Sequence, residues 1–256
     1  MSPHSNPKPA AENAPVVLIT GAARRIGATL ARRFHAEGYR VLIHYRHNHR
    51  DAYDLTEQLN LLRPDSAHLL QADLTIEGSA EQLAGKVLAQ WQQLDLLINN
   101  ASSFYPTPFG QVSYPQWHDL IGSNLAGPFF LAQALAPELT RRNGAIINLV
   151  DVHSQKPLKD FSTYCIAKAG NAMLVQVLAK ELAPAVRVNG ISPGPILPPE
   201  GAAERDPSAQ QQVVNSTLLG RYGDPDDIAD TALFLARQSY VTGQIISVDG
   251  GKSLYT

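Results

Sequence analysis

The sequence predicts one α/β domain: a Rossmann-like, doubly wound parallel sheet of about seven strands with helices on both faces. Three observations lead there. Short apolar runs alternate with stretches whose apolar residues recur at helical spacing, the pattern of successive βα units. The first run, residues 16–19, is apolar at every position rather than at every second one, as a strand covered by helices on both faces is expected to be. The first run ends in a glycine, Gly21, and a helical pattern starts a few residues later, the arrangement of a phosphate-binding first turn.

In chain order, residues 16–20 (VVLIT) form strand one, ended by Gly21. Ile26, Leu30, Ala31 and Phe34 share one face of the helix that follows, and Gly38 stops it. Residues 40–45 form strand two. A helix through Leu55, Leu59 and Leu62 stops before Pro64. Strand three covers 67–72, a helix roughly 79–92, and strand four 95–98. A long helix over about 115–141 is expected to be interrupted or bent at Pro128 and Pro137. Strand five, 146–150, leads into Asp151. The helix that carries Tyr164 runs to about 182 and is closed by Pro184. Strands six and seven are 186–189 and 245–248. Residues 193–216 read as a proline-rich substrate loop with a short helix near 208–214, since long loops in compact domains often cover sites. Residues 1–14, rich in Pro, Ala and Asn, read as a disordered segment ahead of a single domain over 15–256.

Composition narrows the function. A net charge of -2 supplies no basic field for nucleic acid. No apolar run is long enough to cross a membrane, and the start of the chain lacks the apolar core of a signal peptide. The lone Cys165 cannot form an internal disulfide and suits a reducing compartment, so a cytoplasmic location is expected. Its neighbourhood reads as packing rather than as a reactive thiol. No His/Cys/Asp cluster has metal-ligand spacing, and no metal is expected.

TGAARRIG, residues 20–27, joins strand one to the first helix. Glycine there lets a diphosphate approach the backbone, and the helix start offers N–H groups and a positive dipole end; a plain strand-to-helix turn is the alternative. After strand two the chain reads His44-Tyr45-Arg46-His47-Asn48, without the acid that meets a ribose 2′-hydroxyl. Arg46, with Arg24 or Arg25, could meet a 2′-phosphate, which favours NADPH over NADH; a solvated basic turn is the alternative.

Tyr164 and Lys168 lie four apart and share a helix face. An ammonium near a phenol favours the phenolate, so Tyr164 is expected to have a lowered pKa and to move a proton near neutral pH. Asp151 sits at the carboxyl end of strand five, where open α/β sheets bind ligands; it could also serve only as a turn cap.

Together TGAARRIG, Asp73-Leu74, Asn99-Asn100-Ala101, Asn124, Tyr164-x-x-x-Lys168, Ser192-Pro193-Gly194 and Val248-Asp249-Gly250-Gly251 resemble the short-chain dehydrogenase/reductase family. NNASSFYPTP at 99–108, HAEGY at 35–39, the His44-Tyr45 pair and an Asp thirteen residues before Tyr164 resemble the pteridine reductases within it, in the compact form of bacterial relatives. That resemblance implies hydride transfer from NADPH to a C=N bond of a dihydropterin such as dihydrobiopterin or dihydromonapterin, or of dihydrofolate. It implies catalytic roles for Asp151 and Tyr164 as a proton-donating pair, for Lys168 on the nicotinamide ribose, and for Asn124 in a water or lysine network. Phe104 would stack on the pterin and Ser102 would hydrogen-bond it. Arg25 would lie between pterin and diphosphate, and Asp73 would meet the adenine. The wider dinucleotide set comprises Gly21, Arg24, Arg25, Ile26, Gly27, His44, Tyr45, Arg46, His47, Asn48, Asp73, Leu74, Asn100, Ala101, Ser102, Tyr164, Lys168, Pro193 and Gly194. The family's usual residue at 151 is a Ser that polarises a carbonyl, so Asp151 sets this chain apart. Small residues Ala167, Ala169, Gly170 and Ala172 on the Tyr164 helix, with the family's habits, imply a homotetramer. A carbonyl or 3-oxoacyl reductase, or a dinucleotide-binding protein without turnover, are the competing readings.

Overall fold

The computed structural model describes residues 13–198 and 207–254. Seven parallel strands lie in the order β3-β2-β1-β4-β5-β6-β7. They are β1 (Val16–Ile19), β2 (Arg40–Tyr45), β3 (Ala67–Gln71), β4 (Leu96–Asn99), β5 (Ala145–Leu149), β6 (Arg187–Pro193) and β7 (Ile245–Val248). The helices are α1 (Arg25–Ala36), α2 (His49–Leu62), α3 (Ser79–Trp91), α4 (Tyr114–Ile121), α5 (Gly127–Arg142), α6 (Ser162–Glu181), α7 (Pro207–Asn215) and α8 (Pro225–Arg237). The expected N-terminal segment falls mostly, at 1–12, outside the described residues, as do 199–206 of the expected substrate loop.

The strand period explains the two faces. On β1, Val17 and Ile19 point into one core with Phe34 of α1, Leu55 of α2 and Ile228 of α8. Val16 and Leu18 point into the other, with Leu83 of α3, Leu135 of α5 and Val175 of α6. All four β1 residues are fully buried, each worth about 1.5–3 kcal/mol relative to exposure. Chain order reverses between β1 and β4, which opens a crevice beyond their carboxyl ends.

β6 runs on to Pro193, past the expected end at 189, and two helical elements also differ from expectation. Helix α8 was not anticipated, although parallel neighbours such as β6 and β7 need a crossover between them. Its start is written in the chain: Asp224 and Asp227 form a reciprocal capping box around Pro225. The long helix expected over 115–141 is split by a π-helical turn, Gly122–Ala126, ahead of Pro128, while α5 continues through Pro137. Pro128 brings no N–H to the Asn124 carbonyl four residues back. That carbonyl accepts from Asn171 Nδ2 on α6 at 2.7 Å.

The same contact ends a buried amide chain. Asn99 Nδ2 donates to Asn148 Oδ1 at 2.9 Å, and Asn148 Nδ2 donates to Asn171 Oδ1 at 3.1 Å. It fixes α6 against β4 and β5, and with α6 the side chains of Tyr164 and Lys168.

Candidate active site

The carboxyl ends of β1 to β4 enclose a cleft of about 470 Å³. It is walled by the β1 turn from Gly21 to Gly27, the β2 end from His44 to Asn48, Asp73 and Leu74 after β3, and Asn100 to Ser102 after β4. The β1 turn has no room for side chains at its glycines. Gly21 has φ +62°, and a Cβ there would stand 2.9 Å from the Ala101 Cα. A Cβ on Gly27 would stand 2.2 Å from the Gly21 carbonyl oxygen. No side chain caps the start of α1, so its first N–H groups face the cleft's end of the helix. This cradle fits a diphosphate. Arg25 opens α1 at φ +52°, a conformation costing a non-glycine residue about 1 kcal/mol or more, and its Nη2 donates to the Pro198 carbonyl at 3.2 Å.

His44 holds that turn in place. Its Nδ1 accepts from the Gly21 N–H at 3.1 Å, and Nε2 meets the Ala72 carbonyl at 3.1 Å. Burial, against a raising contact to Ala72, brings its pKa down to about 4, so the ring is neutral with its proton on Nε2. His44 lines the cleft, where contact with a cofactor is expected of it, and both its ring nitrogens bond the protein. Asn100 braces the opposite side, its Nδ2 donating to the Thr20 and Gly21 carbonyls at 2.8 and 3.0 Å.

At the β2 end His47 and Asn48 are exposed, whereas Arg46 is engaged. Arg46 Nε faces Asp73 Oδ2 at 2.9 Å, and Nη1 donates to Asp119 Oδ1 at 2.8 Å. Burial opposes ionisation of Asp73, but the Thr75 hydroxyl and amide and then Arg46 hold it below the usual carboxylate range.

Asp151 follows β5 and meets Tyr164 across the mouth of the sheet. The Tyr164 hydroxyl donates to Asp151 Oδ2 at 2.8 Å, and the His153 N–H donates to Oδ1 at 2.7 Å. Asp151 is therefore both turn cap and partner of the phenol. The expectation of a lowered tyrosine pKa is not met. Burial first, and then the Asp151 carboxylate, push Tyr164 well above its ordinary range. Lys168 is too weak a counterweight: its Nζ lies 5.7 Å from the ring centroid and donates to the Leu149 carbonyl at 2.8 Å. Burial, opposed by Asp151, lowers Lys168 to about 8.

Phe104 stands over this pair. Its ring is stacked on Phe161 at 4.6 Å and meets Tyr164 edge-on at 4.8 Å, yet it is 55% exposed, which excludes a core role. The loop behind it is clipped to the start of α6: Thr107 N–H donates to the Asp160 carbonyl at 2.6 Å, and Ser162 Oγ donates to the Thr107 carbonyl at 2.9 Å. The Asn124 side chain donates to the Ser103 carbonyl at 2.9 Å and to the Leu120 carbonyl at 3.0 Å, so it braces the same loop. Pro193 and Gly194 stand apart from the cleft's walls; a Cβ on Gly194 would lie 2.6 Å from the Asp249 Cα. Asn148, Asn171 and Asp119 are not among the expected site residues, and Asn99 is marked only as part of a family motif. Asn99 and Asn148 carry a signal, since amides inside strands buried on both faces must find partners; Asn171, on α6, carries none. Asp119 carried none, because its partner lies 73 positions away.

Residues 21–253 match a family model described as enoyl-(acyl carrier protein) reductase. Pteridine reductase 1 of Leishmania tarentolae is 35% identical, covering 94% of this chain and 97% of that protein. A protein named as ketoacyl reductase 2 of the granaticin polyketide synthase, from Streptomyces violaceoruber, is 33% identical, covering 95% and 98%. The 3beta-hydroxysteroid dehydrogenase 1 of Eggerthella lenta is 35% identical, covering 93% and 94%.

Proposed function

The chain belongs to the short-chain dehydrogenase/reductase family, and from that premise we propose that it is an NADPH-dependent pteridine reductase. Its substrate would be a dihydropterin or dihydrofolate, reduced at a C=N bond. The observation that carries this reading is the 2.8 Å hydrogen bond from Tyr164 to Asp151 beneath the exposed ring of Phe104. A carboxylate beside the phenol would repel the alkoxide that develops when a carbonyl is reduced. It suits a heterocycle that offers N–H and amino donors and needs a proton on nitrogen. Phe104 offers a planar face to such a ring.

When bound, a reduced nicotinamide supplies the hydride. The cradle at Gly21 and Gly27 would hold the diphosphate, and Lys168 the nicotinamide ribose. Asp73 and Leu74 would border the adenine, with Ala101 and Ser102 on the opposite wall. Tyr164 stays protonated at neutral pH because its pKa is raised, so it enters the reaction as a donor. The proton passes from the Asp151–Tyr164 pair to the substrate nitrogen, and solvent restores it to the pair. His47, Asn48 and Arg24 are the groups proposed for a 2′-phosphate: Arg24 Nε faces the Asp51 carboxylate at the longer distance of 3.6 Å, whereas Arg46 is held by two carboxylates at 2.9 and 2.8 Å.

Exposed Phe129 and Phe130 on α5, with Ile166, Met173 and Val177 on α6, support assembly as a homotetramer. No described helix is long and apolar enough to cross a membrane. We place the protein in the cytoplasm.

The test is oxidation of NADPH, against NADH, with dihydrobiopterin, dihydromonapterin and dihydrofolate, and with β-keto ester and steroid ketones alongside. Turnover of a pterin or folate supports the proposal. Turnover of ketones alone would favour the carbonyl reductase reading that the ketoacyl and hydroxysteroid relatives suggest.

A further inference from the structure

One carboxylate joins the cleft's β2 end to the loop that carries Phe104. Asp119, on α4, receives Arg46 Nη1 on Oδ1 at 2.8 Å and the Tyr105 hydroxyl on Oδ2 at 3.1 Å. The Ser103 hydroxyl bonds the same group. Ser103 and Tyr105 are the two chain neighbours of Phe104. The other side of Arg46 faces Asp73, at the adenosine end. One cation thus lies between two carboxylates, one bordering the proposed adenosine site and one anchoring the aromatic wall. Against burial, Arg46, Ser103 and Tyr105 together hold Asp119 below the usual carboxylate range. All three charged side chains are about a third exposed or less, where such contacts are weakly screened.

A hydroxyl or N–H of an adenosine that bonds Asp73 competes with Arg46 for that carboxylate. Arg46 then leans on Asp119, and the anchor of Phe104 tightens. We propose that Asp119 is a positioning residue that transmits occupancy of the adenosine end to Phe104, so that dinucleotide binding orders the wall on which the substrate ring docks. This rests on reading the cleft as a dinucleotide site and not on which substrate is reduced. It also assigns Arg46 to the coupling rather than to a 2′-phosphate. Coupling of this kind is reciprocal, so a ring held on Phe104 would in turn tighten the dinucleotide.

The probe is ADP-ribose, which has the adenosine end and diphosphate but no nicotinamide ring to touch Phe104 directly. The full chain is labelled with 4-fluorophenylalanine, and the Phe104 resonance is assigned by its loss in Phe104→Leu. Saturating ADP-ribose should shift or sharpen that resonance in the wild type. Asp119→Asn and Tyr105→Phe should each lose more than about half of the change while binding ADP-ribose within about threefold of the wild type. Asp119→Glu, which keeps the charge, should retain most of it. An unresponsive Phe104 in the saturated wild type overturns the proposal, as does an undiminished response in Asp119→Asn and Tyr105→Phe. No pterin is added, so failure of the pteridine reading appears separately, as absent turnover in the wild type.

Discussion

Acidification should loosen the phosphate turn before it unfolds the sheet, through His44. This ring is buried, accepts the Gly21 N–H on Nδ1 and meets the Ala72 carbonyl through Nε2. A proton on Nδ1 would set two donors against each other at Gly21. A histidine whose folded pKa lies below its unfolded one is neutral in the native state and takes up a proton on unfolding. Its contribution is complete above about pH 6.5 and is lost as pH falls toward 4. The fall from 6.5 to about 4 corresponds, at about 1.36 kcal/mol per factor of ten in proton affinity, to about 3 kcal/mol. Between those limits one histidine gives a slope of about 1.4 kcal/mol per pH unit. His35, whose ring bonds Ser66 Oγ at 2.6 Å, is also lowered to about 4, by burial and then by Arg63. The wild type should therefore show about twice that slope, and His44→Gln, neutral throughout, about half the wild-type value. Urea unfolding at pH 7, 6 and 5 with a fixed m-value measures both. Stability that is flat over this range, or equal slopes in the two proteins, would refute the reasoning.

Three further outcomes follow from the same geometry. Gly27→Ala places a Cβ 2.2 Å from the Gly21 oxygen, so dinucleotide binding should be lost in a calorimetric titration, with destabilisation of about 1–3 kcal/mol. Phe104→Ala should raise the KM for a dihydropterin about tenfold, the effect of losing a stacking contact of about 1 kcal/mol or slightly more, while Tm barely moves because the ring is half exposed. Burial sets Lys168 to about 8, so its positive charge fades as pH rises past that value; kcat/KM should decline there, and Lys168→Arg should shift the decline upward.

What could be read from the chain was mainly what depends on neighbours in sequence. The runs at 40–45 and 245–248 coincide with β2 and β7, because a short segment rich in Val and Ile between turn residues favours a strand. Helix α8 is equally local in its capping box, but that signal adjoins a proline-rich stretch that reads as loop. The π-helical turn depended on Asn171 reaching the Asn124 carbonyl from another helix, which proline spacing alone does not reveal. In the site, spacing placed Tyr164 and Lys168 on one helix, but not the sign of the phenol's shift. That sign depends on burial and on a carboxylate arriving from β5, both set by tertiary structure. Arg46 was legible as a cation; its capture by Asp73 and Asp119 was not, since charge partners far apart in sequence leave no periodic trace.

The measurement that bears most directly on the account is kcat/KM of Asp151→Ser against the wild type, on a dihydropterin and on a β-keto ester. Losing the carboxylate that accepts from Tyr164 should lower pterin reduction by about a hundredfold or more, with NADPH affinity kept and any ketone activity unchanged or raised. Pterin reduction within about threefold of the wild type would contradict it.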